Sequence, residues 1–365
     1  MKFTLPKSIL TEVIGKIGRL MSSKPDIPVL RGIHVLVQEN CIVFTISDGT
    51  ESLIHTVPVS VDNGVIVLDC GASVFSKDAF NISKKLKGDI TFEVDGSKLT
   101  VSQNKTSLEF STIEADEYPK LAIENTTRAI TFEGKDFEDI VKKTAYCASD
   151  SQARPILTGV NMNFGEINSF VCTDSHRLAK VQLGSSTEEM NITVPANLLE
   201  HAIKSFDLTQ SVLVFPSSSQ IALANGKTIL TSRLLEGNYP DTNRLIPTEF
   251  KGELIVQRQE LVDTLELLSS MSETGVIKLK VNSLFIELSA VSTISKGLNE
   301  IAYESWTGQD GFTISLSSKY LLHAINAFSS NSVKLEFVES MRPFIVTPVT
   351  DQEVNEVHLI LPVRS

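Results

Sequence analysis

Short runs rich in Val, Ile, Phe and Thr alternate along this chain with stretches whose apolar residues return every third or fourth position. Phe3-Thr4-Leu5 is followed by Leu10, Val13, Ile14 and Ile17, the pattern of a short strand and then a helix with one buried face. The pair returns 127 residues later as Ile130-Thr131-Phe132 with Phe137, Ile140, Val141 and Thr144. It returns a third time, less cleanly, as Leu254-Ile255-Val256 with Leu261, Thr264, Leu265 and Leu268. The same offset of 127 carries Pro28-Val29-Leu30-Arg31-Gly32-Ile33 onto Pro155-Ile156-Leu157-Thr158-Gly159-Val160. Two separate blocks sharing one offset are the mark of an internal repeat. Ser47-Asp48-Gly49 then parallels Thr173-Asp174-Ser175 with one residue of slippage.

A second helix is predicted late in each repeat, over 74–87, 195–206 and 317–328, with Pro, Ser or Thr near several starts as capping requires. Strands are predicted between the helices at Ile42–Ile46, Ile90–Val94, Val212–Phe215 and Val333–Phe337, and Asp95-Gly96, Asn225-Gly226 and Asp310-Gly311 mark turns. The economical architecture is α+β: three units, each an antiparallel sheet backed by two helices, spanning 1–125, 126–250 and 251–365. No linker between them is long, so the units are expected to pack as a rigid arc.

Composition narrows the function classes. The 365 residues, 42% hydrophobic and 21% charged, are enough for several ordinary cores. No run has the length and apolarity of a membrane helix, and the first residues lack the apolar core of a signal peptide; a cytoplasmic protein is expected. Cys41, Cys70, Cys147 and Cys172 form no C-x-x-C pair, which favours buried free thiols over disulfides or zinc. A net charge of -11 argues against nucleic-acid binding by the whole surface while leaving room for a local basic lining.

The densest chemistry lies in Thr173-Asp174-Ser175-His176-Arg177-Leu178-Ala179. A hydrolytic triad needs Ser, His and acid converging in space, and neighbours on extended chain point to opposite faces, so the trio is no triad by itself. Asp174 is expected to cap a turn. The six histidines make no metal-ligand spacing, and neither a phosphate-binding loop nor a nucleophile elbow occurs; no metal, cofactor or catalytic residue is assigned. Lysines and arginines gather on the predicted helices: Lys16, Arg19, Lys142 and Lys143 on the first helices, Lys77, Lys84, Lys85, Lys87, Lys204 and Lys319 on the second. Their charges would sum only if the repeat brings these helices to one surface.

Several blocks together carry a resemblance. The opening Met-Lys-Phe-Thr, Arg154–Val160, Thr173–Ala179, Leu235–Asp241 with Ile246-Pro247, Met341-Arg342-Pro343-Phe344 and the closing Leu361-Pro362-Val363-Arg364 resemble the bacterial DNA polymerase III beta subunit, the sliding-clamp family. The resemblance spans the chain, in order, and agrees with the repeat. It implies a non-catalytic processivity factor without cofactors, found in the cytoplasm with the nucleoid. Three DNA-clamp domains would form half of a six-domain ring, closed by a head-to-tail homodimer around double-stranded DNA of any sequence. Partners implied are the polymerase III alpha subunit, the clamp loader, repair polymerases, mismatch-repair proteins and ligase.

The resemblance also assigns residues. A partner-peptide pocket between the second and third units would use Leu157, Thr173, Ser175, His176, Arg177, Leu178, Pro240, Arg244 and Leu245. Phe344, Leu361, Pro362, Val363 and Arg364 would form its other side, with His176 and Arg177 as polar rim and Leu157 and Leu178 as apolar floor. Read alone, those two leucines are core residues. Lys24, Arg154, Lys142, Lys143, Lys84 and Lys204 would face DNA. Leu108 and Phe110 on an edge strand would meet Leu267 and Leu268 of the next subunit. Two alternatives stand beside this: a peptide-binding scaffold that does not encircle DNA, and a hydrolase or transferase using Asp174, His176 and Arg177.

Overall fold

The computed structural model describes residues 1–21, 24–119, 129–187, 189–351 and 355–364. The expected boundary at residue 125 lies outside them. The first repeat runs β1 (Lys2–Leu5), α1 (Lys7–Met21), β2 (Gly32–Val37), β3 (Cys41–Ser47), β4 (Glu51–Pro58), β5 (Ile66–Asp69), β6 (Gly71–Ser76), α2 (Lys77–Ser83), β7 (Ile90–Asp95), β8 (Lys98–Gln103) and β9 (Thr106–Ile113). The second runs β10 (Ile130–Phe132), α3 (Gly134–Thr144), β11 (Gly159–Phe164), β12 (Ser169–Thr173), β13 (Arg177–Gln182), β14 (Met190–Pro195), α4 (Ala196–Ser205), β15 (Val212–Pro216), β16 (Gln220–Asn225) and β17 (Thr228–Arg233). The third runs β18 (Gly252–Gln257), α5 (Arg258–Ser269), β19 (Val276–Val281), β20 (Ile286–Val291), β21 (Lys296–Ile301), β22 (Ser305–Trp306), β23 (Phe312–Ser317), α6 (Ser318–Asn326), β24 (Ser332–Phe337), β25 (Phe344–Pro348) and β26 (Glu356–Ile360). Among the described residues no helix is long and apolar enough to cross a membrane.

The second predicted helices begin too early in the sequence reading. Val74, Phe75 and Ser76 are still strand, paired with His34, Ile33 and Gly32, and α2 starts only at Lys77, where the Ser76 hydroxyl accepts from Ala79 N at 3.2 Å. β-branched and aromatic residues favour the strand, and serine supplies the cap. Pro195 likewise closes β14 opposite Gly159, and Ser317 caps α6 by accepting from Tyr320 N at 3.4 Å. The cysteines also differ from expectation: Cys147 and Cys172 are buried, whereas Cys41 is half-buried and Cys70 exposed. Cys70 follows β5, which among the described strands lies at the end of its sheet beside β1.

The chain packs as two compact units, Met1–Glu138 with Asn197–Leu234, and Asp139–Ala196 with Leu235–Ser365. In the first, thirteen strands form one antiparallel sheet in the order β10-β15-β16-β17-β4-β3-β2-β6-β9-β8-β7-β1-β5. Its core is aromatic: Phe3, Phe75, Phe80 and Phe92 are fully buried, with Phe3 stacked on Phe92 at 5.0 Å. In the second, nine strands run β14-β11-β12-β13-β26-β25-β24-β18-β22, and β21-β20-β19-β23 form a separate sheet. Leu254, Leu265, Leu279, Leu288, Phe337 and Phe344 lie in its core.

Each unit contains one seam between repeats. In the first unit β4 pairs antiparallel with β17, from His55 opposite Thr228 to Glu51 opposite Ser232. Behind this seam Lys16 on α1 donates to the Ser205 carbonyl at the end of α4, and Glu51 is bonded to His201 of α4. In the second unit β13 pairs with β26, from Arg177 opposite Ile360 to Val181 opposite Glu356. One edge of the first repeat and one of the second are thus each satisfied by the repeat that follows.

His55 reports on the first seam. Its Nδ1 is bonded to Thr228 Oγ1 at 2.9 Å, its Nε2 lies 3.9 Å from Glu12, and burial, then Lys16 and Lys227, lower its pKa to about 4. The folded state sheds this proton while the unfolded chain holds it up to its ordinary value. The stability contributed is therefore complete above about pH 6.5 and is lost as pH falls toward 4, by about 3 kcal/mol. Denaturant midpoints between pH 7 and 4.5 should fall more steeply in the wild-type protein than in His55→Gln; parallel slopes would refute this.

Candidate functional site

Thr173-Asp174-Ser175-His176-Arg177 is the connection between β12 and β13, and a local hydrogen-bond set shapes it. The Thr173 hydroxyl donates to Arg177 O at 2.6 Å and accepts from Ser175 N at 3.2 Å. Asp174 Oδ1 accepts from His176 N at 2.8 Å and Arg177 N at 3.0 Å. Ser175 takes the left-handed conformation, φ +77, which a side chain tolerates only in such an over-determined turn. Residues 174–176 are therefore a turn and not extended chain, and Asp174 is its cap.

Arg177 was expected on a polar rim and is instead buried, 7% exposed. Its Nε donates to Asp174 Oδ2 at 2.9 Å, and its guanidinium lies over the rings of Tyr320 and Tyr146 at 4.6 and 5.3 Å. Its Nη1 donates to His323 Nδ1 at 2.7 Å. Burial, then Arg177 and Lys319, lower the His323 pKa, consistent with a neutral imidazole accepting from a guanidinium. Arg177 thereby ties β13 of the second repeat to α6 of the third. Tyr146, Tyr320 and His323 escaped the sequence reading; the spacing of Tyr320 and His323, three apart on one helix face, was the available signal.

Leu157 and Leu178, expected on the apolar floor, are buried, 3% and 1% exposed. Leu178 packs with Val171 and Leu359 beneath Tyr239 and Ile246, and Tyr239 OH accepts from Thr173 N at 3.0 Å. Phe344, expected to line the pocket, is 0% exposed and packs on Phe337 at 5.5 Å; it supports the wall from behind. Thr173 is buried. The groups left to solvent are Ser175, His176, Pro240, Arg244 and Leu245, with Leu361, Pro362 and Val363 half-buried and Arg364 exposed. His176 stacks on Tyr320 at 6.5 Å. Leu361 N donates to His176 O at 2.9 Å and Val363 N to Ser315 O at 2.8 Å, so residues 361–363 link the turn between β12 and β13 to β23. The arrangement is a surface of apolar side chains with a polar border.

The same unit offers little for covalent chemistry. Burial pushes the Cys147 thiol up to about 12 and raises Cys172 too, so neither is a thiolate near neutral pH. The Asp174 carboxylate, for its part, is engaged by Arg177.

Of the residues expected at DNA, Lys24, Arg154, Lys142, Lys84 and Lys204 are exposed. Lys143 is not open to a phosphate: its Nζ lies 3.1 Å from Glu356 Oε2 across the second seam, both side chains largely buried. Leu108 and Phe110 sit half-buried on β9, which pairs with β8 along its length and with β6 only at Thr112 and Ile113. Leu267 is 57% exposed, but Leu268 is 1% exposed in the core, since adjacent positions on a helix point about 100° apart and only one of the two meets the sheet. Leu298 on β21, 51% exposed, was missed; β21 pairs with β20 alone among the described strands.

A three-repeat chain with seams built of paired strands has the architecture of a DNA clamp. Models of the N-terminal, central and C-terminal domains of the DNA polymerase III beta subunit match residues 1–122, 131–241 and 243–364. The beta sliding clamps of Staphylococcus aureus and Staphylococcus epidermidis are 32% and 31% identical over all of both chains. The crystal structure of the DNA polymerase sliding clamp from Bacillus subtilis is similar at 30% identity and TM-score 0.93, covering 100% of this chain and 99% of that one. The beta subunit from Streptococcus pyogenes is similar at 29% and TM-score 0.92, with both chains covered in full. The chain belongs to the DNA polymerase III beta subunit family, and its function is that of a sliding clamp in DNA replication.

Removing Asp174 would leave the buried Arg177 guanidinium without its carboxylate and release two backbone donors. Asp174→Ala should cost about 3 kcal/mol, read as a lower urea midpoint at an unchanged slope. A loss under about 0.5 kcal/mol would show that the turn holds without it.

Proposed function

We propose that this clamp encircles duplex DNA as a head-to-tail homodimer of three-domain subunits, dividing near residues 125 and 250, and tethers DNA-processing partners through the surface around His176. The carrying observation is the repeat's strand correspondence. β4 and β13 hold the same place in their repeats as β21, and β17 and β26 the same place as β9. Since β4 pairs with β17 and β13 with β26, the rule calls for β21 of one subunit beside β9 of the next. Leu267 and Leu298 are exposed at one end, and Leu108 and Phe110 are available at the other. A heterologous contact that closes yields a ring. Exposed Lys24, Lys84, Lys142, Arg154 and Lys204 would meet phosphates without reading sequence, which permits sliding.

For partners, Pro240, Leu245, Leu361, Pro362 and Val363 supply an apolar seat, and His176, Arg244 and Arg364 its polar border. Short linear segments of the polymerase alpha subunit, the clamp loader and repair proteins fit such a seat. Leu157, Leu178, Thr173, Arg177 and Phe344 hold it in shape from beneath. Tethering raises a polymerase's effective concentration at the primer end and requires no catalysis.

Two measurements test this. In solution the wild-type protein should have the mass of two 40.0 kDa chains, about 80 kDa. Leu267→Glu, at an exposed position, should leave stability within about 0.5 kcal/mol and give a monomer; a monomeric wild type at micromolar concentration would contradict ring closure. His176→Ala should weaken binding of a peptide from the polymerase about tenfold without altering mass. Unchanged affinity in both His176→Ala and Leu245→Asp would remove this surface from the account.

A further inference from the structure

The first seam repeats the second down to individual hydrogen bonds, and beside it lies a cavity of about 310 Å³. Ser47 Oγ donates to Glu51 O at 2.9 Å and accepts from Gly49 N at 3.1 Å, as Thr173 does with Arg177 and Ser175. Asp48 Oδ1 accepts from Thr50 N at 2.9 Å and Glu51 N at 2.8 Å, as Asp174 does from His176 and Arg177. Gly49 at φ +97 stands where Ser175 stands at φ +77. Leu30 closes a short helical turn through Ile27 O at 3.1 Å, as Leu157 does through Arg154 O at 3.0 Å. Tyr118-Pro119 occupies the place of Tyr239-Pro240, with Tyr118 packed on Val29 and Leu30.

We infer that the seam between the first and second repeats carries a second short-peptide site, one that takes an extended segment with an apolar anchor beside an acidic residue. The inference rests on reading the His176 surface as a peptide seat. The apolar lining is Ile27, 52% exposed, with Leu30 and Pro119, and the polar lining includes Gln220, Thr231 and the exposed Arg233. A volume of this size suits one side chain and its flanking backbone. The amide and hydroxyls can bond a peptide backbone, while the aliphatic wall takes the anchor.

The charge pattern separates the two sites. Where the second seam has Arg177, the first has Glu51, and Glu51 is bonded to His201 and 7% exposed. The Asp48 carboxylate is occupied in its own turn. Arg233 is the cation among the lining residues and has no ion pair among the described residues, so a carboxylate on the ligand has a partner there. A single cation is too little for a polyanion such as nucleic acid.

The test uses the full chain and two fluorescein-labelled probes, acetyl-Gly-Asp-Leu-Phe-Gly and its Lys-for-Asp counterpart, each also made with a photoreactive benzoyl group on the Phe ring. The Asp probe should crosslink within 27–52 or 220–233. Arg233→Glu, at an exposed position, should weaken the Asp probe about tenfold and strengthen the Lys probe, and Ile27→Arg should abolish crosslinking there. Crosslinks confined to 173–178 and 361–364, with Arg233→Glu without effect, would overturn this inference and leave the His176 seat standing. Crosslinks at Arg233 that persist while neither His176→Ala nor Leu245→Asp changes binding of the polymerase peptide would support it and remove the other reading. No saturable crosslink at either seam overturns the inference outright.

Discussion

A β-strand at the end of a sheet exposes a row of backbone donors and acceptors that must be paired, covered or left as an invitation to another chain. Much of this protein is an answer to that constraint. β17 covers β4, and β26 covers β13, so repeats that would each end in open edges are joined into continuous sheets. The side chains behind each seam confirm that it is built and not incidental. Lys16 is held by the Ser205 carbonyl and Glu51 by His201 at one, and Arg177 is held between Asp174, Tyr320 and His323 at the other. By the same strand correspondence, β21 and the Thr106–Ser111 part of β9 are the positions that have no seam of this kind among the described residues.

The same constraint shapes the turns at the seams. A turn that ends one strand and begins the next must satisfy its own backbone. The Asp-centred loop does so using residues 173–177 in one repeat and 47–51 in another. Once the backbone is satisfied, nearby side chains are released to face solvent in a fixed arrangement: His176 and Leu245 at one seam, Thr50 and Arg233 at the other. Rigid strands hold the surface and variable side chains set its chemistry. Identical scaffolding with Arg177 at one seam and Glu51 at its counterpart is how a repeat protein diversifies without altering its fold.

The threefold plan was legible because apolar periodicity reports burial directly, and the offset of 127 needed no structural knowledge. The helices at residue 74 and residue 195 were read too long because Val, Phe and Pro at the end of a strand continue the apolar pattern into the helix that follows. Which of two adjacent leucines faces out, Leu267 or Leu268, depends on the phase of α5 against its sheet, and motif matching does not carry phase. Arg177 was misplaced for a related reason. A charged residue reads as surface from sequence, and its burial depends on Tyr146, Tyr320 and His323, two of them distant in the chain.

The account stands or falls on topological closure. The protein is loaded by a clamp loader onto a nicked circular duplex, stripped of unbound protein, and assayed for co-migration with the DNA before and after one restriction cut. Closure through β9 and β21 predicts retention on the circle and loss from the linear form as the ring slides off its ends. Equal retention on both forms, or equal loss from both, would mean that the protein holds DNA by surface contact and that the open edges are closed by something other than a second copy of this chain.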